Sequence, residues 1–320
     1  MLTHVYRVTK YDPADRDEHG RYVGAEDCVS DHGEVEAAYL QAVAAFAAGT
    51  GVDHMDVREP EVPSLLQFGA EPAVDGFGLE GLFPSGQAGF HDGARVSLDV
   101  ALELVRAMLR DNGAWCRLEV EDTFAVHVGW DQYLYVSSTR PCEEALARTR
   151  ALGLFPERLD ASPYAFDAEG DEGQGIQRPA DDSFWADLRR EIAGGRAGLL
   201  EEMYLYNASR WHLLTGATVE AVRARLALRA RLAVWPPLST DVHAVLGGLP
   251  ADGLVQGVWQ DHDGLLHSAD VDEDHFAELT ARMSGARAAA LLSPYAGERI
   301  PLCTAVLPDK DGVLRARWRP

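Results

Sequence analysis

Three stretches of this chain hold side chains equipped for chemistry. The first is Asp15-Arg16-Asp17-Glu18-His19-Gly20, with Glu26 twelfth counted from Asp15. It follows the outline of a calcium loop: acids at positions 1, 3 and 12 supply hard oxygen ligands, and Gly20 at position 6 permits the sharp turn. His19 stands where an oxygen ligand belongs, however, and strands flank the loop where helices should. Asp-x-Asp-Gly recurs at Asp261 and Asp309, where Asp and Gly serve tight turns. A solvated turn is therefore the leading reading, and calcium on Asp15, Asp17 and Glu26 the alternative.

The second stretch is VRARLALRARLAVW, which carries Arg223, Arg225, Arg229 and Arg231. Guanidinium forks grip phosphate, and Trp211 and Trp235 would offer faces for single-stranded bases. Converged, these six residues would make an RNA-binding surface. The plainer alternative is an exposed helical face, with Glu220 near Arg223 and both tryptophans in the core. The third is His127, a general base with Asp131 if both face a substrate; a solvent-facing strand histidine is the simpler account. Motifs for nucleophilic, zinc, P-loop or dinucleotide chemistry are missing from the sequence.

The elements that must position these residues begin with WCRLEVEDTFAVHVGWDQYLYV, residues 115 to 136. It alternates apolar and polar residues and breaks at 121–123 and 129–132, as a three-strand antiparallel meander does. Amphipathic helices flank it: Ser97 caps one that ends at Asn112-Gly113, and another spans Glu143 to Leu152. A strand from Thr3 to Tyr11, a returning one at Arg21 to Gly24, and a helix opened by Asp31 and Glu34 precede them. The Gly- and Pro-rich segment 61–95 shows no period.

Residues 1–156 thus read as an α+β domain, 157–182 as an acidic linker, and 183–320 as a helical lead-in followed by a second α+β domain. The lead-in is a helix around Phe184, Leu188 and Ile192 and a second over Leu199 to Tyr206. The last ninety residues give the order βαββαβ plus a strand pair, Leu302 to Leu307 with Val313 to Trp318. That order predicts a ferredoxin-like sandwich. The fold class is α+β in two domains, with mostly antiparallel sheets and packed helices.

Of the 320 residues, 47% are hydrophobic, which places the chain among globular proteins. No apolar run is long enough for a bilayer span, and the four cysteines lie far apart, so the expectation is a cytoplasmic protein with reduced thiols. The net charge is −22. Residues 1–180 hold 14 basic and 32 acidic side chains, residues 181–320 hold 15 and 19, so a polyanion would have to meet the second half.

The opening MLTHVYRVTKYDPADRDEHGRYVGAEDCVSDHG, together with LELVRAMLRDNGAWCRLEVEDTFAVHVGWDQYLYV and ALGLFPERLDASPY, resembles a poorly characterised actinobacterial family labelled as RNA-binding protein. The resemblance implies RNA or a ribonucleoprotein as partner and assigns no residue roles. The leading expectation is a non-enzymatic protein that binds RNA through the arginines of its second half. One alternative is an acidic adaptor or immunity-like inhibitor of a basic protein partner; the other is an enzyme of unrecognised type.

Overall fold

The computed structural model describes residues 2–24, 33–62, 78–83, 89–129, 133–162, 178–206, 208–293, 298 and 300–316. They form seven α-helices and fourteen strands, arranged in three antiparallel sheets, and fall into two compact units, one before residue 163 and one after residue 177. No helix among the described residues is long and apolar enough to cross a membrane.

The first unit is organised on seven strands: β1 (His4–Thr9), β2 (His54–Glu61), β3 (Arg95–Ser97), β4 (Trp115–Val120), β5 (Phe124–Val128), β6 (Leu134–Ser138) and β7 (Phe155–Leu159). Their order is β3-β2-β4-β5-β6-β1-β7. The meander forms as its alternation predicts, with Val126 opposite both Leu118 and Val136. Tyr6 lies opposite Val136 and its ring meets Phe46, which identifies the face carrying Tyr6, Val136, Val126 and Leu118 as the one under α1 (Glu34–Thr50). Helix α2 (Leu98–Leu109) has the expected Ser97 cap, and α3 (Glu143–Ala151) packs on α1. The returning strand expected at Arg21 to Gly24 is only a bridge between Arg16 and Tyr22.

The sheet continues past the expected domain end, because β7 pairs with β1 over Phe155 to Leu159. Pro156 hides this strand in the sequence, since proline cannot donate to a ladder; β7 tolerates it by being the outermost strand. Of the expected linker, 163–177 lies outside the described residues, as do Asp31, the segments 63–77 and 84–88, and 317–320.

The second unit has a four-stranded sheet of β8 (Leu199–Leu205), β9 (Ala208–Leu213), β10 (Arg231–Trp235) and β14 (Cys303–Val306), in the order β14-β10-β8-β9. A three-stranded sheet holds β11 (Val255–Gln260) between β12 (Leu266–Val271) and β13 (Ala288–Leu292). Helices α4 (Asp182–Ala193), α5 (Val219–Arg223), α6 (Val242–Leu246) and α7 (Phe276–Met283) complete it. Alternation along β11 decides the layers. Val258 joins Leu199, Trp211 and Trp235 in a core shared by both sheets, while Val255 and Trp259 face Leu279 and Met283 of α7. Gly257 lets that helix come close: a Cβ there would lie 2.9 Å from Leu279 Cδ1.

Two expectations are corrected here. Leu199 to Tyr206 is strand β8, not a helix; LLEEMYL is rich in helix formers, and pairing with β9 and β10 on either side overrides that weak preference. The βαββαβ order is present from β10 to β13, but the ferredoxin-like sheet is not formed. β10 pairs with β8 and β14, and only Ser239 beyond its end bridges to Ala289 of β13.

Candidate functional site

The arginines singled out from the sequence do not converge. Arg223, in the last turn of α5, pairs with Asp182 at 2.8 Å and lies over the Trp185 ring. Arg225 is exposed just beyond that helix. Arg229 is buried and forks onto Asp309, with Nε and Nη2 at 2.7 and 2.9 Å from the carboxylate. Burial works against ionisation of Asp309, but Arg229 and Arg315 outweigh it and hold its carboxyl below the usual range. Arg231 sits half-buried in β10, opposite Met203 and Val306.

Trp211 and Trp235 do come together, with ring centroids 6.5 Å apart, but in the core, at 5% and 6% exposure. The Trp235 indole N–H donates to Glu201 Oε2 at 3.1 Å. Neither ring is available as a stacking platform, because both close the space between the two sheets. Other cations of this half are likewise taken: Arg189 by Glu220, Arg196 by Glu191, Arg190 by Asp187, Arg282 by Glu278.

Arg210 belongs to a buried cluster around Glu202, which is fully enclosed. Glu202 accepts from His212 Nε2 at 2.7 Å, from the Ala227 amide at 2.6 Å and from Arg210 at 3.3 Å. Burial pushes the Glu202 carboxyl up; the His212 hydrogen bond, the Arg210 charge and the Ala227 amide outweigh it, so the net shift is downward and the group is ionised.

The calcium-loop outline resolves into turn geometry. Asp17 Oδ1 accepts from the His19 and Arg21 amides, Asp12 Oδ1 accepts from the Ala14 amide, and Pro13–Asp15 is a single 3-10 turn. Asp15 is exposed, and Glu26 lies outside the described residues. No group of His, Cys, Asp and Glu suited to a metal occurs among the described residues.

The densest concentration of polar groups is one that sequence reading missed. On the face of the first sheet opposite α1, register places Arg58 across from Arg117, His127 across from Tyr135, Tyr135 across from Arg7, and Arg7 across from Glu157. Like charges directly opposite repel, and carboxylates hold them. Asp92 lies 3.1 Å from Arg58, Glu119 3.0 Å from Arg117, and Glu59 3.7 Å from Arg117. Asp92 also accepts from the Glu59 amide at 2.9 Å, and Glu59 has φ of 49°, a left-handed conformation that sets the bend there. Asp92 comes from the aperiodic 61–95 segment, so nothing in its neighbourhood of sequence announced it.

His127 is 3% exposed rather than solvent-facing, stacked on Tyr135 at 5.2 Å. Burial, with the Arg117 charge in support, lowers its pKa to about 3, so it is neutral at physiological pH and a weak base. Asp131 lies outside the described residues. At the other end of the row, Arg7 pairs with Glu157 at 2.7 Å and lies over Tyr133. On this face three arginines, Arg7, Arg58 and Arg117, are held by four carboxylates, Glu59, Asp92, Glu119 and Glu157. Its arrangement can hold strands in register.

No family model, curated protein or solved structure matches this chain. Its own charge distribution therefore carries the functional argument. About half of the cations are paired with carboxylates of the same unit, and over residues 1–180 acids outnumber bases by 32 to 14. In the first unit Glu34, Glu80, Asp99, Asp122 and Glu144 are exposed.

Proposed function

We propose that the chain is an acidic protein-binding module that engages a basic protein partner through its first unit. One observation carries this reading. The arginines that would make the second half attractive to a polyanion are committed to Asp182, Asp309, Glu202 and Glu220 of the same chain, so the excess of 32 acids over 14 bases in residues 1–180 dominates the long-range field. Such a field steers a cationic partner and raises its association rate. RNA is the competing partner, and would have to use Arg225 and the few cations that remain exposed.

The test is purification of the tagged full chain from its native cytoplasm at low and high salt, with and without nuclease. A single strongly basic protein, recovered in equal amount and indifferent to nuclease, is the expected result. RNA that co-purifies at low salt and leaves at high salt would overturn the proposal and return attention to the arginines.

A further inference from the structure

The short connection between α2 and β4 carries Asn112-Gly113, and the chain holds only one other asparagine, Asn207, which precedes Ala208. We propose that Asn112-Gly113 is a site of spontaneous covalent modification that ages the first unit. The Gly113 amide nitrogen attacks Asn112 Cγ, its proton leaves with the side-chain nitrogen as ammonia, and a cyclic imide, a succinimide, closes. Water then opens one of the two imide C–N bonds. Breaking the bond to the side-chain carbonyl gives aspartate. Breaking the bond to the main-chain carbonyl gives isoaspartate, with the chain rerouted through Cβ and Cγ.

The fold selects this pair. Succinimides also form from Asp-Gly, and in the four such pairs among the described residues the glycine N–H is already taken. Gly93 donates to Val57 O at 2.7 Å, Gly253 to Glu273 Oε2 at 3.0 Å, Gly264 to Asp261 O at 3.2 Å and Gly312 to Asp309 O at 2.8 Å. Among the described residues no hydrogen bond engages the Gly113 N–H, and none engages the side chain of Asn112, which is exposed. An intramolecular attack draws its rate from groups able to reach the reacting geometry, and here neither has a bond to break first. Gly113 also has no Cβ to obstruct the approach.

The connection has little slack to absorb the product. Asp111, left-handed at φ 50°, and Asn112 close α2 by donating to Met108 O at 3.1 Å and Ala107 O at 3.2 Å. On the far side the Trp115 indole N–H donates to Val128 O at 2.7 Å, and the Cys116 amide to Met108 Sδ at 3.4 Å. Isoaspartate inserts an extra main-chain atom between these anchors and sets a carboxylate at the negative end of the helix dipole. Both changes loosen the junction.

The full chain, aged in mildly alkaline buffer, is digested with trypsin. Amide loss is read by mass spectrometry in residues 111–117 and, as the reference, in residues 197–210, which hold Asn207. Asn112 is expected to convert about tenfold faster than Asn207, equivalent to about 1.4 kcal/mol in barrier, and enzymatic methylation counts the isoaspartyl product. Asn112→Gln, whose longer side chain must close a larger ring, should lose most of that methylation. Conversion in urea but not in the native chain, or methylation undiminished in Asn112→Gln, would overturn the site.

The aged chain should unfold about 2–4 °C below Asn112→Gln aged in parallel. Asn112→Asp, which gains the charge and keeps the main-chain path, should lose less. Equal midpoints for the aged chain and Asn112→Gln would overturn the loosening of the junction.

Discussion

In the first unit two arginines, Arg58 and Arg117, face one another across β2 and β4 and are held by Asp92, Glu59 and Glu119. In the second a single carboxylate, Glu202 of β8, is held by His212 and Arg210 of β9 and by the Ala227 amide. The sign of the buried charge is reversed, and so is the origin of its partners. Glu202 takes both cations from the next strand of its own hairpin, so its compensation arrives when the hairpin forms. Arg58 takes its nearer carboxylate from Asp92, 34 residues further along the chain, with Glu119 of β4 at 3.9 Å, so the larger part of its compensation comes from a distant point in the chain. A buried charge can thus be matched locally or at long range, and the two routes should respond differently to mutation.

The largest effect is expected at Glu202. Glu202→Gln removes the buried anion and leaves Arg210 and His212 without it, which should cost about 3–5 kcal/mol in urea denaturation. A loss below about 1 kcal/mol would mean that the hairpin cluster is solvated. Arg117→Met should cost about 3 kcal/mol, because Glu119 and Glu59 lose a buried partner, and adding Glu119→Met should recover part of that loss. If the double variant is no more stable than the single one, the array is not coupled.

His127 separates the units by pH. Its native pKa of about 3 lies below the ordinary value of 6.5, so between those values the unfolded chain binds a proton that the native chain refuses. Stability should therefore fall with acidification, by about 1.4 kcal/mol per pH unit once well below the ordinary histidine value. His127→Phe keeps the ring against Tyr135 and should remove this component, which comparison of the two denaturation curves between about pH 6 and pH 4 would reveal. Glu202 adds a loss of its own at the acid end, because its lowered pKa makes its contribution disappear as it protonates. Smallest of all, Arg225→Glu on the exposed surface should change stability by about 0.5 kcal/mol or less and leave partner recovery unaltered.

The sequence made the fold legible where period and turn chemistry agree. β11 and β12 meet across Asp261-His262-Asp263-Gly264 as expected, and Asp261 accepts from the amides of Asp263 and Leu265 within that turn. β8 was obscure because its residues prefer helix, and β7 because of Pro156. The candidate site was obscure for a different reason. An arginine in a sequence shows its charge but not its partner, and Asp309 lies 80 residues from Arg229. Trp211 and Trp235 carry the same ambiguity, since an indole suits a core as well as a base stack. Only the two-sheet arrangement of the second unit assigns them to the core.

The rim of the seven-stranded sheet bears on how this protein behaves at high concentration. A sheet edge is a template for any passing strand, and native edges are commonly blunted. Here β7 carries Pro156, which lacks a donor, and β3 at the far rim is only three residues long. Neither edge offers a full ladder to a foreign strand, so this sheet is poorly suited to seed growth of fibres, and crowding should favour dispersed molecules over strand-by-strand aggregation.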